Sequence, residues 1–262
     1  MLVALVVSVA PVLAPAGIDT VGERLKMKAL LRSLPVFGTV TFCSDLQDWL
    51  RRHGGYLEGP SLERVPGRGW GLIHRGRATS QKLLLRVPWS LVLRKELVEE
   101  DPELMAILKQ WTSPENENYI SQAIRLWLLR GQREAWRPWL EKLPKDVAAG
   151  ADTLPLALSY QGSQALKGTP LQMAGDLQLQ SLQKEWKDLE LKVHWESFVW
   201  AQAIVSTRSS SLPMDGQVVA CLVPMVDFAN HSFQPNAWIR GTKEGVELIS
   251  CRSIEEGPAC MS

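Results

Sequence analysis

One stretch of this sequence restricts the fold more narrowly than any other: Val223-Pro224-Met225-Val226-Asp227-Phe228-Ala229-Asn230-His231-Ser232. An apolar run, typical of a buried strand, leads directly into the polar pair Asn230-His231. Asp227 stands three positions before Asn230. Taken alone, such a pair is typical of a turn that contains a structural histidine, so its meaning depends on the rest of the chain.

A second unusual stretch is Gly67-Arg68-Gly69-Trp70-Gly71-Leu72, in which glycine alternates with larger residues. Alternating glycines allow a backbone to approach a ligand closely. The stretch lacks the third glycine of a dinucleotide-binding fingerprint and the Gly-Lys-Ser/Thr of a phosphate loop. By itself it predicts a turn, with ligand binding as the alternative.

A third stretch, Trp200–Arg208, predicts the end of a helix with Arg208 in its last turn. A guanidinium in that place pairs bidentately with a carboxylate. Alternatively, it interacts with the negative end of the helix dipole. The sequence alone leaves both roles open.

Sequence patterns typical of β-strands occur towards both ends of the chain. After a short helix predicted at Ser44–Arg52, glycines and prolines divide the apolar runs of Gly59–Leu93 into short strands joined by turns. Near the other end, Gln217–Val223 predicts a strand, and Ala237–Arg240 with Val246–Cys251 predicts a hairpin.

The middle of the chain is helical. Apolar residues at helical spacing predict helices within Glu96–Leu140, with a start signal at Ser113-Pro114-Glu115. A second helical block is predicted at Gly175–Arg208, with a break near His194 because the apolar face changes there. The element order is therefore β, α, β, which indicates an α+β protein.

Composition excludes several classes of protein. The 262 residues contain 29 Lys+Arg and 28 Asp+Glu, for a formal net charge of +1. This balance argues against a protein that binds the phosphate backbone of nucleic acid. The four cysteines form no C-x-x-C pair, so no metal site is predicted.

Residues 1–18 contain no charged side chain before Asp19. The apolar part is too short for a transmembrane helix, so no stable membrane insertion is expected. Ala14-Pro15-Ala16 has the form of a cleavage site, but the basic region of a secretory signal is missing. A targeting leader, a native tail and a misassigned start all remain open.

Taken together, these stretches resemble the SET-domain methyltransferases, specifically the subfamily of the Rubisco large-subunit lysine methyltransferases. The likeness covers roughly Ser44 to Gly257, about four-fifths of the chain. It is carried by Gly67–Leu72, Leu83–Pro88, Trp139–Pro144, Leu166–Leu171, Trp200–Arg208 and Asp227–Ser232. The resemblance implies an α+β fold in which the small β-sheets of a SET domain (a β-clip) are split by a mostly helical insert. Residues 19–95 and 216–262 would form the two parts of the domain, and residues 96–215 the insert.

The resemblance also implies an S-adenosylmethionine-dependent protein-lysine N-methyltransferase of non-histone type. The backbone of Arg68-Gly69-Trp70 would contact this cofactor, Arg208 would bind its carboxylate, and Asn230-His231 would contact its amino group and adenine. Asp227 and Thr207 would border the channel of the substrate lysine. No metal is implied.

The implied reaction is an in-line transfer of a methyl group from the sulfonium to a lysine amine. With a pKa near 10.4, roughly one lysine in a few thousand is neutral at pH 7. An apolar channel raises that fraction because it disfavours the ammonium. Most of the rate enhancement then comes from alignment, so no acid/base dyad is required.

The resemblance fails at the C-terminus. The pattern runs to Glu255-Glu256-Gly257, and no tyrosine follows, since Tyr56, Tyr119 and Tyr160 all lie upstream. The resemblance implies an active-site tyrosine beyond this point, so we expect this tyrosine to be missing and identify no catalytic residue. We likewise expect the family's C-terminal substrate-binding domain to be absent. We expect a truncated or alternatively ended chain that methylates inefficiently.

Two other functions remain open: methylation of protein histidine, and a non-catalytic SET-derived module that binds a protein. The expected partner is a protein substrate with a target lysine, and not nucleic acid. The expected state is a monomer. The resemblance suggests a plastid by analogy, and the cytoplasm is the alternative.

Overall fold

The computed structural model describes residues 3–4, 6–9, 44–65, 69–131, 133–145, 147, 155–162, 164–214, 217–232 and 234–255. Strands occur towards both ends of this part of the chain and helices in the middle, which is the β, α, β order predicted from the sequence. None of its helices is both long enough and apolar enough to cross a membrane.

The strands of the described residues form three sheets. They are β1 Val3–Ala4, β2 Val6–Val9, β3 Tyr56–Leu57, β4 Pro60–Val65, β5 Gly69–His74, β6 Leu83–Pro88, β7 Ser210–Met214, β8 Gln217–Cys221, β9 Asn230–His231, β10 Ala237–Thr242 and β11 Gly245–Ser250.

The helices of the described residues lie mainly between β6 and β7. They are α1 Ser44–Arg52, α2 Glu96–Glu99, α3 Pro102–Trp111, α4 Tyr119–Arg130, α5 Arg137–Leu140, α6 Pro155–Tyr160, α7 Pro170–Asp188 and α8 Trp195–Arg208. Single turns of 3-10 helix lie at Trp89–Leu91, Gln164–Leu166 and Val226–Phe228.

The largest sheet joins residues from both sides of the helical region. Its order is β3-β6-β11-β10-β2-β9. The pairs β6–β11 and β10–β11 are antiparallel, whereas β2 lies parallel to both β10 and β9. All residues of β11 are buried, as expected for a strand in the middle of a covered sheet. The other sheets are β1-β5-β4 and the hairpin β7–β8.

Several predicted elements are confirmed, with shifted ends. The helix at Ser44–Arg52 and the break before α8 are as predicted. The predicted helix start at Ser113-Pro114 is wrong: α4 begins at Tyr119, because Asn116 Oδ1 accepts from the Asn118 N–H and closes a turn ahead of it. Such a turn competes locally with the helix.

The second helical block also begins earlier than predicted. Its first residue is Pro170 instead of Gly175, since Thr169 Oγ1 accepts from the Gln172 N–H and caps the helix. Strands β1, β2, β3, β7 and β9 were not predicted. Serines and Pro213 obscure the pattern of β7, which lies in a two-stranded sheet where a proline is tolerated.

Candidate functional site

Asp227 is the centre of a buried polar cluster. It lies in the 3-10 turn Val226–Phe228, which follows Met225, a residue with a positive φ of 71°. Only 1% of its side chain is exposed. Arg208 Nη1 donates to the Asp227 backbone carbonyl at 2.8 Å and lies 3.4 Å from Oδ2. Trp139 Nε1 donates to the same Oδ2 at 3.1 Å.

Burial raises the pKa of the Asp227 carboxyl to about 6, although the charge of Arg208 and the hydrogen bonds from Trp139 and Arg208 oppose the rise. Desolvation therefore outweighs the partners. The second oxygen, Oδ1, is buried and has no hydrogen-bond partner among the described residues. The site thus offers a carboxylate that is held at one oxygen and free to accept at the other.

Arg208 is the last residue of α8, as predicted, and its hydrogen-bond partner is Asp227. Its side chain is 16% exposed, and its guanidinium lies 4.9 Å from the Phe228 ring centroid. Both contacts to Asp227 use Nη1, so its other N–H groups have no partner among the described residues. A guanidinium carries five N–H donors, so this cation retains donors for an anionic ligand.

Thr207, the residue before Arg208, is half-buried. Its hydroxyl donates to the Ala203 carbonyl at 2.7 Å, one turn earlier in α8. Such a bond leaves the hydroxyl oxygen as an acceptor while its proton is held by the helix.

Asn230 and His231 form β9, which is separated by Ala229 alone from the turn that contains Asp227. Asn230 is exposed. The backbone of β9 pairs with β2, in the register Val6 to Asn230 and Val7 to His231. The loop therefore places the predicted Asn-His pair and Asp227 on consecutive elements.

Gly69 and Trp70 begin β5, which packs against the Val226–Phe228 turn. Gly69 has φ of 75°, and a Cβ added there would meet no atom within 4 Å, so open space faces it. The Trp70 ring has cations near it, with Arg64 at 5.2 Å and Lys142 at 5.5 Å from the centroid. Arg68, the third residue of this predicted contact, lies outside the described residues.

Trp139 is the contributor to this site that sequence reasoning missed. Its position in α5 predicts core packing, and the side chain is indeed fully buried. The indole N–H nevertheless points at Asp227, which lies 88 positions away. One signal in the sequence indicates a role of Trp139 in the site: this residue begins the Trp139–Pro144 segment, which is one of the segments that carry the family resemblance.

Metal binding and thiol chemistry depend on how the His, Cys, Asp and Glu side chains are placed. The described part of the chain contains no group of three such side chains placed to hold a metal ion. Cys221 is buried, which raises the pKa of its thiol to about 12 and keeps it unreactive at neutral pH. Cys251 donates to the Pro235 carbonyl at 3.0 Å. Both thiols are free of disulfides.

The architecture is that of a split SET domain, which confirms the predicted α+β fold. The SET domain of LSMT in a crystal structure bound to lysine and AdoHcy matches it with a TM-score of 0.59 and 18% identity, over 82% of this chain and 52% of that chain. A structure of Rubisco LSMT bound to AdoMet matches with a TM-score of 0.56 and 19% identity, over 82% and 50%.

Two curated proteins are similar in sequence, and they confirm the resemblance to SET-domain proteins. The Protein SET DOMAIN GROUP 40 of Arabidopsis thaliana is 26% identical over 201 residues, which is 72% of this chain and 38% of that protein. The N-lysine methyltransferase setd6 of Salmo salar is 27% identical over 176 residues, 60% of this chain and 35% of that protein. The chain therefore spans well under half of each relative. No protein-family model matches it.

Proposed function

We propose that this chain is the SET portion of an S-adenosylmethionine-dependent protein-lysine N-methyltransferase that acts on a non-histone protein. The observation that carries the proposal is the Arg208–Asp227 pair, buried beside β9 and β5 of a SET fold. Similar structures that bind AdoMet, AdoHcy and lysine support it, as does the similar N-lysine methyltransferase.

The donor set of the site fits S-adenosylmethionine. This cofactor carries a carboxylate, an ammonium and a flat base, and it supplies an electrophilic methyl group on its sulfonium. The N–H groups of Arg208 that have no partner among the described residues suit the carboxylate. Backbone groups at Gly69-Trp70 and at Asn230-His231 would hold the rest of the molecule, because both segments lie against or next to the Asp227 turn.

Asp227 would serve the substrate side of the site. Its Oδ1, which has no partner among the residues that the structure describes, would accept a hydrogen bond from a lysine amine. Val226 and Phe228 beside it are buried and apolar. These apolar side chains disfavour an ammonium and raise the neutral fraction of the amine, whereas an ionised Asp227 carboxylate would favour the ammonium. Thr207 adds a hydroxyl oxygen next to Arg208. The contribution of these residues to catalysis is orientation of the amine and exclusion of water.

We further propose that residues 19–95 and 216–262 are the two parts of the SET domain and that residues 96–215 are the insert. The net charge of +1 favours a protein over a nucleic-acid partner. We also propose that the protein is a monomer. We propose that it acts in the plastid or in the cytoplasm.

Calorimetry with S-adenosylmethionine tests the cofactor site. Wild-type protein should bind, and Arg208→Ala should lower the affinity by roughly tenfold or more, because a charge-assisted contact is lost. Arg240→Ala is the matched control, since Arg240 also pairs with an acid, Glu247, but in the β10–β11 hairpin. Absence of binding by the wild type, or equal effects of the two substitutions, would contradict the proposal. Transfer of radiolabelled methyl groups to protein substrates tests the reaction itself.

A further inference from the structure

We propose that Trp139 is a positioning residue of this site. Its indole N–H fixes the Asp227 carboxylate, and Asp227 in turn fixes Arg208, so that the helical insert sets the geometry at which Arg208 meets an anionic ligand. This inference rests on the proposed function, which it deepens by adding a residue of the insert to the cofactor site.

The hydrogen bonds at Asp227 Oδ2 carry the inference. Trp139 Nε1 donates to this oxygen at 3.1 Å, whereas Arg208 Nη1 reaches it at 3.4 Å, a long contact. Oδ1 has no partner among the described residues. Without the indole N–H, the long contact to Arg208 would be the remaining side-chain restraint on the carboxylate in the described part of the chain, beside the backbone N–H of Asp227 itself. The donor on Trp139 is therefore the nearest side-chain group that orients the carboxylate.

The indole is itself rigidly held. Trp139 is fully buried, and its ring centroid lies 5.8 Å from that of Trp136 in an edge-on arrangement. Trp136 packs in turn on Trp127, at 4.8 Å, and on Trp49, at 5.7 Å. These four side chains, the tryptophan cluster, make Trp139 an anchored donor, because a packed aromatic residue has little freedom to rotate.

Trp49 belongs to the same cluster but has a different kind of acceptor. Its Nε1 donates to the Ala135 carbonyl at 2.9 Å, and its side chain is 3% exposed. This acceptor is a neutral backbone carbonyl in the loop before α5, so a hydrogen bond to it cannot change the ionisation of any group in the site. The two tryptophans therefore share burial, packing and one hydrogen bond, and they differ in whether the acceptor is a site carboxylate.

The indole also biases the charge of Asp227. A hydrogen bond donated to a carboxylate favours its ionised form, so the Trp139 N–H lowers the pKa of Asp227 against the larger effect of burial. Arg208 on α8 is the charged side chain of the described residues that faces this carboxyl. Loss of the indole N–H should leave Asp227 neutral up to a higher pH, and Arg208 then loses its anionic partner.

The experiment compares Trp139→Phe with Trp49→Phe in cofactor-free protein. Carbon NMR of labelled aspartate, assigned with Asp227→Asn, follows the titration of the Asp227 carboxyl. Trp139→Phe should move this titration to higher pH, and Trp49→Phe should leave it in place. Calorimetry with AdoHcy at pH 7 should show at least a threefold loss of affinity for Trp139→Phe only. An unmoved titration, or equal shifts in the two variants, would overturn the inference.

A second measurement needs no destabilising substitution. In wild-type protein the indole N–H resonance of Trp139 should shift with pH in step with the Asp227 carboxyl, and Asp227→Asn should abolish this shift. A resonance that stays constant while the carboxyl titrates would overturn the inference even if Trp139→Phe failed to fold. Wild-type protein that binds no AdoHcy would refute the proposed function instead, and the titration would still decide the role of Trp139.

Discussion

Arg125 of α4 and Glu185 of α7 form an ion pair across 60 sequence positions, with Arg125 Nη2 donating to Glu185 Oε2 at 2.8 Å. Only 3% of the Arg125 side chain is exposed. Its guanidinium also donates to Gln202 of α8 and lies 4.7 Å from the Trp111 ring centroid. Helices α3, α4, α7 and α8 thus meet at one buried cation, and α8 ends in Arg208.

Replacement of Arg125 by alanine should therefore lower the free energy of unfolding by about 3 kcal/mol, because it leaves the partners of a buried charge unpaired. Arg125→Lys should show an intermediate loss, since an ammonium lacks the planar fork that reaches both acceptors. Chemical denaturation followed by circular dichroism measures both. Arg130→Ala, at the exposed end of the same helix, is the control. A loss below about 1 kcal/mol for Arg125→Ala would show that the pair is dispensable.

The stability of the fold should depend on pH through Asp227. Burial raises its pKa in the folded protein to about 6, above the ordinary value of 3.8. The protonated form is thus favoured in the fold. The contribution of the Asp227 carboxyl to the free energy of unfolding is therefore complete below about pH 4. This contribution, up to about 3 kcal/mol, is lost as the pH rises through about 6.

Asp227→Asn removes this titration. The unfolding free energy of the wild type relative to this variant should therefore fall between pH 4 and pH 7, as measured by urea denaturation at each pH. Asp188→Asn, at the exposed end of α7, should run parallel to the wild type. If the unfolding free energies of the wild type and of Asp227→Asn changed equally with pH, folding would not raise the pKa of the Asp227 carboxyl, which would contradict the prediction.

Much of the fold follows from local patterns, whereas the key contacts of the site do not. The stripe from Ile120 to Leu128 predicts α4 because apolar spacing is a property of one segment. The bond between Trp139 and Asp227 joins residues 88 positions apart, and no spacing rule reports it. The buried state of Asp227 likewise results from packing of the insert on the strands. Arg208 could be selected as a candidate from the sequence, but its partner could not.

The backbone of Gly245 lies so close to the paired strand β6 that a larger residue at this position should destabilise the fold. Gly245 begins β11 with φ of 152°, and an added Cβ would overlap the Val87 carbonyl oxygen on β6. Gly245→Ala should lower the melting temperature far more than Gly76→Ala. Gly76 also has a positive φ, of 83°, but a Cβ there meets open space, so only backbone strain of about 1 kcal/mol is expected. Equal melting temperatures for the two variants would rule out the steric explanation.

The N-terminal strand β2 should support the proposed binding of the cofactor. Its backbone pairs with β10 on one side and with Asn230-His231 on the other, and β9 has β2 as its sheet partner in the described residues. Deletion of residues 1–9 should therefore free the backbone of β9 and weaken the binding of AdoHcy several-fold, measured by calorimetry. Deletion of residues 1–4 is the control, because it removes β1, which pairs with β5, and leaves β2 in place. Since β9 is only two residues long, it has little other means of keeping its position. Wild-type affinity after the longer deletion would mean that β9 is held by the turn at Asp227 and not by β2.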